Sequence, residues 1–349
     1  MANPKSLDPT RPPGVEEDAV LRVIRVPAEA AGMRLDRFMT SQLRHTSRTR
    51  AKSIIQRSAY AADGRRLAGS SRVRAGEVIA LWRAPFEEDE EQPPMAVVYE
   101  DDDLLVIDKP ALVTVHPTAR YHKHTVTVRL EQERPGAFLA LIHRLDRETS
   151  GLLLIAKNIE SERAFKRQLE ERSLEVQDAR GASDTFHKEY LAITRGTPQP
   201  GLIELPLELD PENSLRVKMR VAAPGTGLFA RTGVEVLETR GNYALVTCTL
   251  HTGRQHQIRL HLAAQGYPLV GDKLYGADER LLARAADGEL TAEDLTLLEM
   301  PRHALHAHRY RLRHAVSGQQ LELCAPLPQD LGEFWGRLAA PPGASTVSR

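Results

Sequence analysis

An almost unbroken apolar run, GLLLIAK at residues 151–157, limits the possible folds of this chain more than any other segment. Its continuous apolar character and its glycine boundary predict a β-strand that is fully buried. The next segment, NIESERAFKRQLEERS at 158–173, has the apolar spacing of an amphipathic helix, with Asn158 or Ser161 as its N-terminal cap. Together the two patterns predict a core strand that is followed directly by a helix.

Elsewhere in the chain, strand and helix patterns follow one another in no regular alternation. Residues 95–117 have the pattern of a hairpin that leads into a loop, and residues 184–196 that of a strand. Two more strands are predicted in 233–253 across an Arg-Gly-Asn turn, and a helix over 254–267 follows, ended by Gly266. This irregular order predicts an α+β fold with a mixed, largely antiparallel central sheet.

Charge is divided unevenly along the 349 residues, although the formal net charge is zero. Residues 20–83 contain 14 Lys and Arg against 4 Asp and Glu, and an acidic stretch follows them. A chain of this length also exceeds what one typical core needs. The predicted organisation is a disordered tail at 1–19, a small basic domain at 20–84, an acidic linker at 85–95, a larger domain at 96–335 and a second disordered tail at 336–349.

The basic domain has the pattern of a small α/β unit, in the order helix, helix, small sheet. Leu35, Phe38 and Met39 have the spacing of a helix stripe, and Ser47 is a candidate cap for a second helix. An Asp-Gly turn and an alternating segment, RVRAGEVIAL, then predict the sheet. Local pattern alone therefore defines most of this unit.

The second predicted helix has three cationic side chains that are expected to face water or a polyanion: Arg48, Arg50 and Lys52. One interpretation is a surface rich in arginine that has no ligand. The other is a surface that binds a phosphate backbone, because clustered cations gain affinity by releasing counterions from nucleic acid. The clustering of charge in one small module favours nucleic acid.

Several classes of protein are not expected from this sequence. It has no run of about 18 apolar residues, and its N-terminus lacks the apolar stretch of a secretory signal, so we expect a cytoplasmic protein that does not bind membranes. Two cysteines, Cys248 and Cys324, cannot form a disulfide framework, and both are predicted to be core residues.

Histidines are frequent in the last hundred residues and raise the question of a metal site. No carboxylate or cysteine joins them at the spacing of a ligand set, so no metal is expected. The histidines considered are His251, His256, His261, His303, His306 and His308.

A single carboxylate, Asp146, stands between Arg144 and Arg147 immediately before the buried strand. A turn at this point can hold the carboxylate rigidly at the wall of a cleft, and a guanidinium partner keeps a partly buried carboxylate ionised. An ionised carboxylate can act as a nucleophile or a base. The alternative is a turn aspartate that caps backbone NH groups, and physical reasoning alone leaves both interpretations open.

The stretch HRLDRETSGLLLIAK resembles the signature of the RluA-type pseudouridine synthases, and within them the RluC- and RluD-like members. Four other pieces agree in order, and the similarity spans about residues 20–331. They are DKPALVTVHP, HKEYLAITRG, HTGRQHQIRLHLAAQGYPLVGDKLYG and RHALHAHRYRL. The basic domain is similar to the small RNA-binding domain of a small-subunit ribosomal protein, which several RNA-modifying enzymes share.

The resemblance implies a role for each matching residue. Asp146 corresponds to the catalytic aspartate, which acts on the ribose of a target uridine while the glycosidic bond breaks and the base rotates to rejoin through carbon. Tyr190 corresponds to the tyrosine against the target base and is a candidate for proton transfer, and Arg259 to the basic partner of the aspartate. Residues implied in RNA or substrate binding are His143, Arg144, Ile258 and Leu260, together with Arg48, Arg50 and Lys52 of the basic domain.

The resemblance also implies an isomerase that needs no cofactor or metal. RNA is the expected partner, with large-subunit ribosomal RNA favoured and transfer RNA possible, and the protein is expected to act as a monomer. A non-catalytic RNA-binding or ribosome-assembly protein is the main alternative, although such a protein has no need of Asp146, Tyr190 and Arg259 together. A metal-dependent nuclease or hydrolase is a third possibility, which loss of activity with EDTA would reveal.

Overall fold

The computed structural model describes residues 9–17, 19–43, 48–83, 93–118, 121, 123–177, 186–213, 217–223, 225–278, 280–287 and 290–338. The chain divides into two compact units. The first comprises Met1–Asp89 with Thr118–Tyr121, and the second comprises Glu90–Pro117 with His122–Arg349. Most of the predicted acidic linker, residues 85–92, lies outside the described residues.

The first unit is a small α/β domain. Its sheet has the order β1-β3-β2 and is antiparallel throughout. In chain order its elements are β1 (Val20–Arg25), a 3-10 helix (Ala28–Ala30), α1 (Leu35–Gln42), α2 (Arg48–Ser58), β2 (Ala59–Ala61) and β3 (Val78–Arg83).

The core of this unit is the one that the apolar spacing predicts. Leu35, Phe38 and Met39 of α1 are buried against Ile55 of α2 and Ile79 of β3. Strand β1 precedes the helices and was missing from the predicted order of elements. The predicted cap of α2, at residue 47, lies outside the described residues.

Residues 9–17 belong to the predicted N-terminal disordered tail, and for them that prediction is wrong. The Thr10 amide donates to the Ala62 carbonyl at 3.0 Å, and the Arg11 guanidinium lies 5.7 Å from the centre of the Trp82 ring. Alternate residues of a strand face opposite sides of a sheet, so the face away from the two helices also needs a cover. The N-terminal segment packs on that face.

The second unit contains the remaining elements. In chain order they are β4 (Ala96–Glu100), β5 (Leu104–Lys109), α3 (Val126–Glu133), β6 (Ala140–Leu141), β7 (Ser150–Ala156), α4 (Ile159–Gln177), β8 (Phe186–Arg195), β9 (Gly201–Glu204), β10 (Leu207–Leu209), β11 (Met219–Val221), β12 (Arg231–Arg240), β13 (Tyr243–Leu250), α5 (Gln257–Ala264), α6 (Leu281–Asp287), α7 (Ala292–Leu298), β14 (Leu305–Arg313), β15 (Gln320–Cys324) and α8 (Gln329–Arg337).

A ten-stranded sheet forms the centre of this unit, in the order β4-β5-β7-β14-β8-β13-β12-β9. Strands β6 and β15 pair with β7 and β14, and β10 and β11 form a separate hairpin. Strand β7 runs parallel to β14, and the other strand pairs recorded for this sheet are antiparallel. The prediction of an α+β fold with a mixed, largely antiparallel sheet is confirmed.

Strand β7 is the predicted core strand, and every residue of it is buried. It lies between β5 and β14, and Gly151 marks its closest approach to β14. Gly151 has a φ of +106°, and a Cβ atom at this position would lie 2.2 Å from the Ala307 carbonyl oxygen. Of the two candidate caps of α4, Asn158 is the cap, because its Oδ1 accepts the Ser161 amide at 2.8 Å.

Three smaller predictions need correction or comment. Helix α8 extends to Arg337 and buries Phe334 and Trp335, so the C-terminal tail predicted from residue 336 begins too early. Cys248 is buried as predicted, but Cys324 is exposed because it stands on the outer face of the edge strand β15. Within the described part of the chain, no helix combines the length and the apolar character that crossing a membrane requires.

Candidate active site

Asp146 lies in the turn between β6 and β7, where the chain enters the core strand. Its backbone carbonyl accepts the Thr149 amide at 3.1 Å, which closes the turn. Its carboxylate contacts side chains instead: Oδ2 accepts the Arg259 Nη1 group at 2.8 Å, and Oδ1 lies 3.8 Å from His256 Nε2. In the described contacts, the carboxylate therefore pairs with the Arg259 guanidinium beside the His256 ring, and it caps no backbone NH group.

Arg259 stands on α5 between two carboxylates. Its Nε and Nη2 groups donate to Asp272 at 2.7 and 2.9 Å, and its Nη1 group donates to Asp146. Asp272 Oδ1 also accepts the amides of Leu274 and Tyr275, at 2.9 and 3.0 Å. The bidentate pair fixes the plane of the guanidinium, so that one remaining nitrogen points at Asp146.

Electrostatics keeps both carboxylates ionised. Burial alone would raise the pKa of Asp146, but His256, which is protonated at acidic pH, and Arg259 outweigh it and lower the pKa to about 2. For Asp272, burial also opposes ionisation, and the Arg259 guanidinium brings its pKa far below the usual value. Asp146 is therefore negatively charged at neutral pH, although it lies in a largely buried site.

Lys109 ties the turn to the preceding loop. It is fully buried at the end of β5, and its Nζ donates to the carbonyls of Pro110, Val113 and Arg147 at 2.7, 2.9 and 3.3 Å. Burial lowers the pKa of Lys109 to about 7. Its three backbone contacts hold the residue that follows Asp146, and so restrict the turn itself.

The residues after the turn are anchored as well. Glu148 accepts the Lys273 Nζ group at 2.7 Å, and the Thr149 hydroxyl is 2.8 Å from His303 Nε2. The Ser150 hydroxyl lies 2.9 Å from Nδ1 of His306, which is on β14. Each residue from 147 to 150 thus has a tertiary contact, which makes the turn that carries Asp146 rigid.

Tyr190 lies in the middle of β8 and is buried in the main core. Its hydroxyl is 2.9 Å from the Tyr310 hydroxyl. Burial, with a further contribution from the charge of Asp146, raises the pKa of Tyr190 to about 12. The phenol therefore keeps its proton at neutral pH, and it lies within electrostatic reach of Asp146.

Ile258 and Leu260 flank Arg259 on α5, and both are buried. Ile258 packs in the main core with Tyr190, whereas Leu260 packs with Leu274 and Tyr275 in a separate cluster. The two residues support the helix from opposite directions. Whether either one also forms a wall of the substrate pocket stays a prediction.

His143 and Arg144 differ in their surroundings. The His143 ring contacts the Tyr310 ring edge-to-face at 5.7 Å between centroids, and its Nε2 accepts the Leu154 amide at 3.3 Å. This position supports a role within the fold, and contact of His143 with RNA stays a prediction. Arg144 is exposed, so its side chain is accessible to a ligand.

In the first unit, Arg48 and Lys52 are exposed on α2, as predicted, whereas the side chain of Arg50 lies outside the described residues. The Arg48 guanidinium is 3.3 Å from Asp36, whose side chain is 4% exposed. A shallow concavity beside it is lined by Arg37, Thr40, Ser41 and Arg48. Cations and hydroxyl groups on one face are suited to phosphate oxygens.

One group of possible metal ligands occurs among the described residues: Asp101, Asp103 and His314 offer ligand atoms within 4.8 Å of one another. His314 Nδ1 accepts the amides of Val316 and Ser317, at 3.3 and 3.0 Å. The ring proton is therefore on Nε2, which faces Asp101 at 3.3 Å. A nitrogen that carries a proton has no lone pair for a metal, so the group is better described as a hydrogen-bonded turn.

Sequence reasoning missed several residues of the site and misplaced one. Asp272 lies within one of the matching segments, where an acidic residue directly after Gly271 was the signal available for it. Lys109 and Tyr310 also lie within matching segments, DKPALVTVHP and RHALHAHRYRL, but no local pattern marked either one as a site residue. His256 was placed inside a helix, but its φ of +56° makes it the residue before the first turn, so α5 begins at Gln257.

Comparison with known proteins shows extended similarity. The family model described as RNA pseudouridylate synthase matches residues 103–264. The chain is 33% identical to the ribosomal large subunit pseudouridine synthase D of Nitrosomonas europaea, over 96% of this chain and 93% of the relative. It is 36% identical to an uncharacterized RNA pseudouridine synthase of Chloroflexus aurantiacus, over 90% and 92%.

Solved structures resemble the chain in fold. The human RNA pseudouridylate synthase domain containing 4 matches with a TM-score of 0.51 and 24% identity, over 69% of this chain and 92% of that structure. The human RNA pseudouridylate synthase domain containing 1 also matches with a TM-score of 0.51, over 72% and 100%. These similarities concern the arrangement of the backbone alone.

Proposed function

Because the chain belongs to the RluA-type RNA pseudouridine synthases, we propose that it isomerises uridines of large-subunit ribosomal RNA and that Asp146 is its catalytic residue. The observation that carries the proposal is the pairing of an ionised, rigidly mounted Asp146 with Arg259, which Asp272 orients in turn. A reaction at the sugar needs a charged carboxylate at a fixed place, and this arrangement supplies one.

The reaction converts one glycosidic bond into another. The bond between N1 of uracil and C1′ of ribose breaks, a bond between C5 and C1′ forms, the proton on C5 leaves to solvent, and N1 gains a proton. No electron donor or acceptor is required. Asp146 acts on the ribose, and its low pKa keeps it ionised throughout the physiological range.

Access to the target requires that the nucleotide leaves its stack. Flipping a base costs a few kcal/mol, which contacts with the phosphate backbone can offset. In our proposal, exposed Arg144 contacts RNA next to the target, while Arg48, Arg50 and Lys52 of the first unit bind phosphates elsewhere on the same RNA. The exposure of Arg144, Arg48 and Lys52 supports these assignments.

Tyr190 is the proposed partner of the flipped base. Its ring gives uracil an aromatic face, and its hydroxyl, which is protonated at neutral pH, is a candidate for proton transfer. Ile258 and Leu260 are proposed to wall the pocket from α5, and His143 is proposed to lie next to the RNA contacts. The presence of Ile258 and Tyr190 in the same hydrophobic cluster supports the first of these roles.

The substrate assignment rests on relatives that are named as synthases of the large ribosomal subunit. Action on transfer RNA is the competing substrate, and a binding protein without activity is the competing function. We further propose that the protein acts in the cytoplasm as a monomer. A single experiment separates the two candidate substrates from each other and from the binding function.

The experiment is a pseudouridine map of total RNA from cells with and without the gene. Deleted cells receive the wild-type gene, Asp146→Asn, or the matched control Asp102→Asn, which changes an exposed aspartate of the same charge. We expect large-subunit sites to be lost on deletion and restored by wild type and by the control, but not by Asp146→Asn, although that variant still binds RNA.

Other outcomes would redirect the assignment. Sites lost only from transfer RNA would show that transfer RNA is the substrate. A map that deletion leaves unchanged would favour a binding protein without activity. Restoration of the sites by Asp146→Asn would show that this carboxylate is not the catalytic group.

A further inference from the structure

His256 occupies an unusual backbone position at the edge of the site. It precedes the first turn of α5 with φ +56° and ψ +19°, in the left-handed region that residues with a Cβ rarely adopt. Strain of this kind persists where the surroundings hold it, and it occurs often at functional sites. Here it accompanies a ring that faces Asp146, and the side chain of His256 is 10% exposed.

A chain of hydrogen bonds determines which ring nitrogen carries the proton. The buried Tyr275 hydroxyl accepts the Met219 amide at 2.8 Å and is 2.9 Å from His256 Nδ1. Because the hydroxyl oxygen already accepts one hydrogen bond, the hydroxyl group donates its own proton to Nδ1, which accepts it. The reverse arrangement would leave a buried hydroxyl proton without an acceptor. Nε2 therefore carries the ring proton.

This proton faces the oxygen of Asp146 that Arg259 does not use. Nε2 is 3.8 Å from Oδ1, which is beyond hydrogen-bonding distance, whereas Oδ2 is bound to Arg259. A donor and an acceptor thus stand side by side at the more open edge of the site, where Asp146 is 29% exposed. They match a group that accepts and donates at once.

A hydroxyl is such a group, and one placed about 2.8 Å from each atom fits the separation. Within an RNA chain the 3′ oxygen and the 5′ oxygen are esterified, so the 2′-hydroxyl is the sugar hydroxyl that remains. It is also the group that distinguishes RNA from DNA. Since Asp146 is proposed to act on the ribose, the 2′-hydroxyl of the target lies close to it.

We propose that His256 binds the 2′-hydroxyl of the flipped uridine as a neutral hydrogen-bond donor, while Asp146 Oδ1 accepts the hydroxyl proton. This inference rests on the proposed function and assigns a residue that selects a ribose over a deoxyribose. His256 touches the substrate in this arrangement, and Tyr275 is a positioning residue that acts through it.

The neutral state of the ring is essential to this role, because a protonated imidazole would pair directly with Asp146. Burial lowers the pKa of His256 to about 4, and the charged groups that face the ring are Asp146, Arg259 and Asp272. The two carboxylates favour protonation and the guanidinium opposes it. At neutral pH the ring is therefore uncharged and keeps its single proton on Nε2.

The test is a thermodynamic cycle between a residue and one atom of the substrate. Two RNAs carry either uridine or 2′-deoxyuridine at the mapped target, each with tritium at C5, which is released whenever C5 joins the sugar. Wild type, His256→Ala and His256→Gln are compared by kcat/KM, because the amide nitrogen of glutamine can replace Nε2 as a donor. Tyr275→Phe probes the orientation of the ring.

We expect wild type to lose about tenfold or more in kcat/KM on the deoxy substrate, the usual effect of one lost hydrogen bond that leaves a polar partner exposed to the site. His256→Ala should lose a similar factor on uridine and almost nothing further on deoxyuridine. Glutamine should restore part of the loss on uridine only, and Tyr275→Phe should show a smaller loss in the same pattern.

Equal losses for His256→Ala on both substrates would overturn the proposal, since a purely structural defect does not depend on the 2′-hydroxyl. Unchanged kinetics of that variant would overturn it too. An active wild type with either result leaves the proposed function standing and removes only the role of His256. A wild type that is inactive on every ribosomal RNA would overturn the proposed function and this inference together.

Discussion

Replacement of Asp272 by Asn changes one atom in the arrangement that orients Arg259. Both Asp272 oxygens accept from Arg259, and Oδ1 also accepts two backbone amides. The asparagine oxygen can replace Oδ1, but the amide nitrogen then faces the Arg259 Nε–H group, donor against donor. The side chain of Asp272 is 0% exposed and that of Arg259 is 8% exposed, so water cannot take over the lost contact.

The magnitude follows from the loss of one partner of a buried ion pair, which costs about 3–5 kcal/mol. Asparagine keeps one acceptor, so we expect the free energy of unfolding of the second unit to fall by about 3 kcal/mol. Arg259 also loses its fixed plane, and a misplacement of its Nη1 group by about 1 Å would reduce the rate at Asp146 by roughly 100-fold. Binding of RNA should change little.

The stability assay uses the two tryptophans of the chain, one in each unit. In a Trp82→Phe background, fluorescence of Trp335 in α8 reports unfolding of the second unit by urea, with Asp102→Asn as the control for the change in charge. The pKa of Asp272 is lowered in the folded state, so its stabilisation is present above pH 4 and is lost as the pH falls below that value. The difference between wild type and Asp272→Asn should therefore shrink in acid.

The rate is measured in a single turnover, as tritium released from C5 of the target. Three results for Asp272→Asn would together refute the reasoning: a loss of stability below about 1 kcal/mol, a rate within a few-fold of wild type, and a stability difference from wild type that does not depend on pH. Each result requires that Arg259 be held equally well without the second carboxylate.

Two further predictions concern the mount of Asp146 and its charge. Gly151→Ala places a Cβ 2.2 Å from the Ala307 carbonyl oxygen at a φ of +106°, so we expect the free energy of unfolding to fall by more than about 3 kcal/mol, or the protein to be insoluble. Gly336→Ala, with open space around it in helix α8, should unfold at the same urea concentration as wild type or slightly above it, because Ala favours a helix more than Gly does. Equal urea midpoints for the two variants would contradict this prediction. Because the pKa of Asp146 is lowered to about 2, its ionised form contributes about 2 kcal/mol of stability that is present above pH 4 and lost towards pH 2, and the stability difference between wild type and Asp146→Asn should follow that course; a difference that does not vary with pH would exclude it.

Local pattern was sufficient for much of the fold. The unbroken apolar run predicted that β7 is buried on both faces, and helical spacing predicted which side of α1 faces the core, because neighbours within a few residues decide both. The same information placed Asp146 at the entrance to the core strand. It did not predict β1 or the packing of residues 9–17, since both depend on a sheet face formed by residues far along the chain.

For the site, the sequence by itself determined the residue types and the element on which each one stands. The resemblance to a known family implied Asp146, Tyr190 and Arg259 as a set, whereas the local sequence placed only Arg144 and Arg147 next to the carboxylate. The resemblance implied that Arg259 pairs with Asp146 from 113 residues away, and the tertiary structure supplied the contact and its geometry. The tertiary structure alone placed Asp272 behind that guanidinium.

The tautomer of His256 was also decided by tertiary structure, through a hydroxyl from Tyr275 and an amide from β11. The physical reason is common to these cases. Periodicity and capping act between residues that are close in sequence, whereas the direction of a hydrogen bond or the pairing of buried charges is set by groups that the order of strands in the sheet brings together.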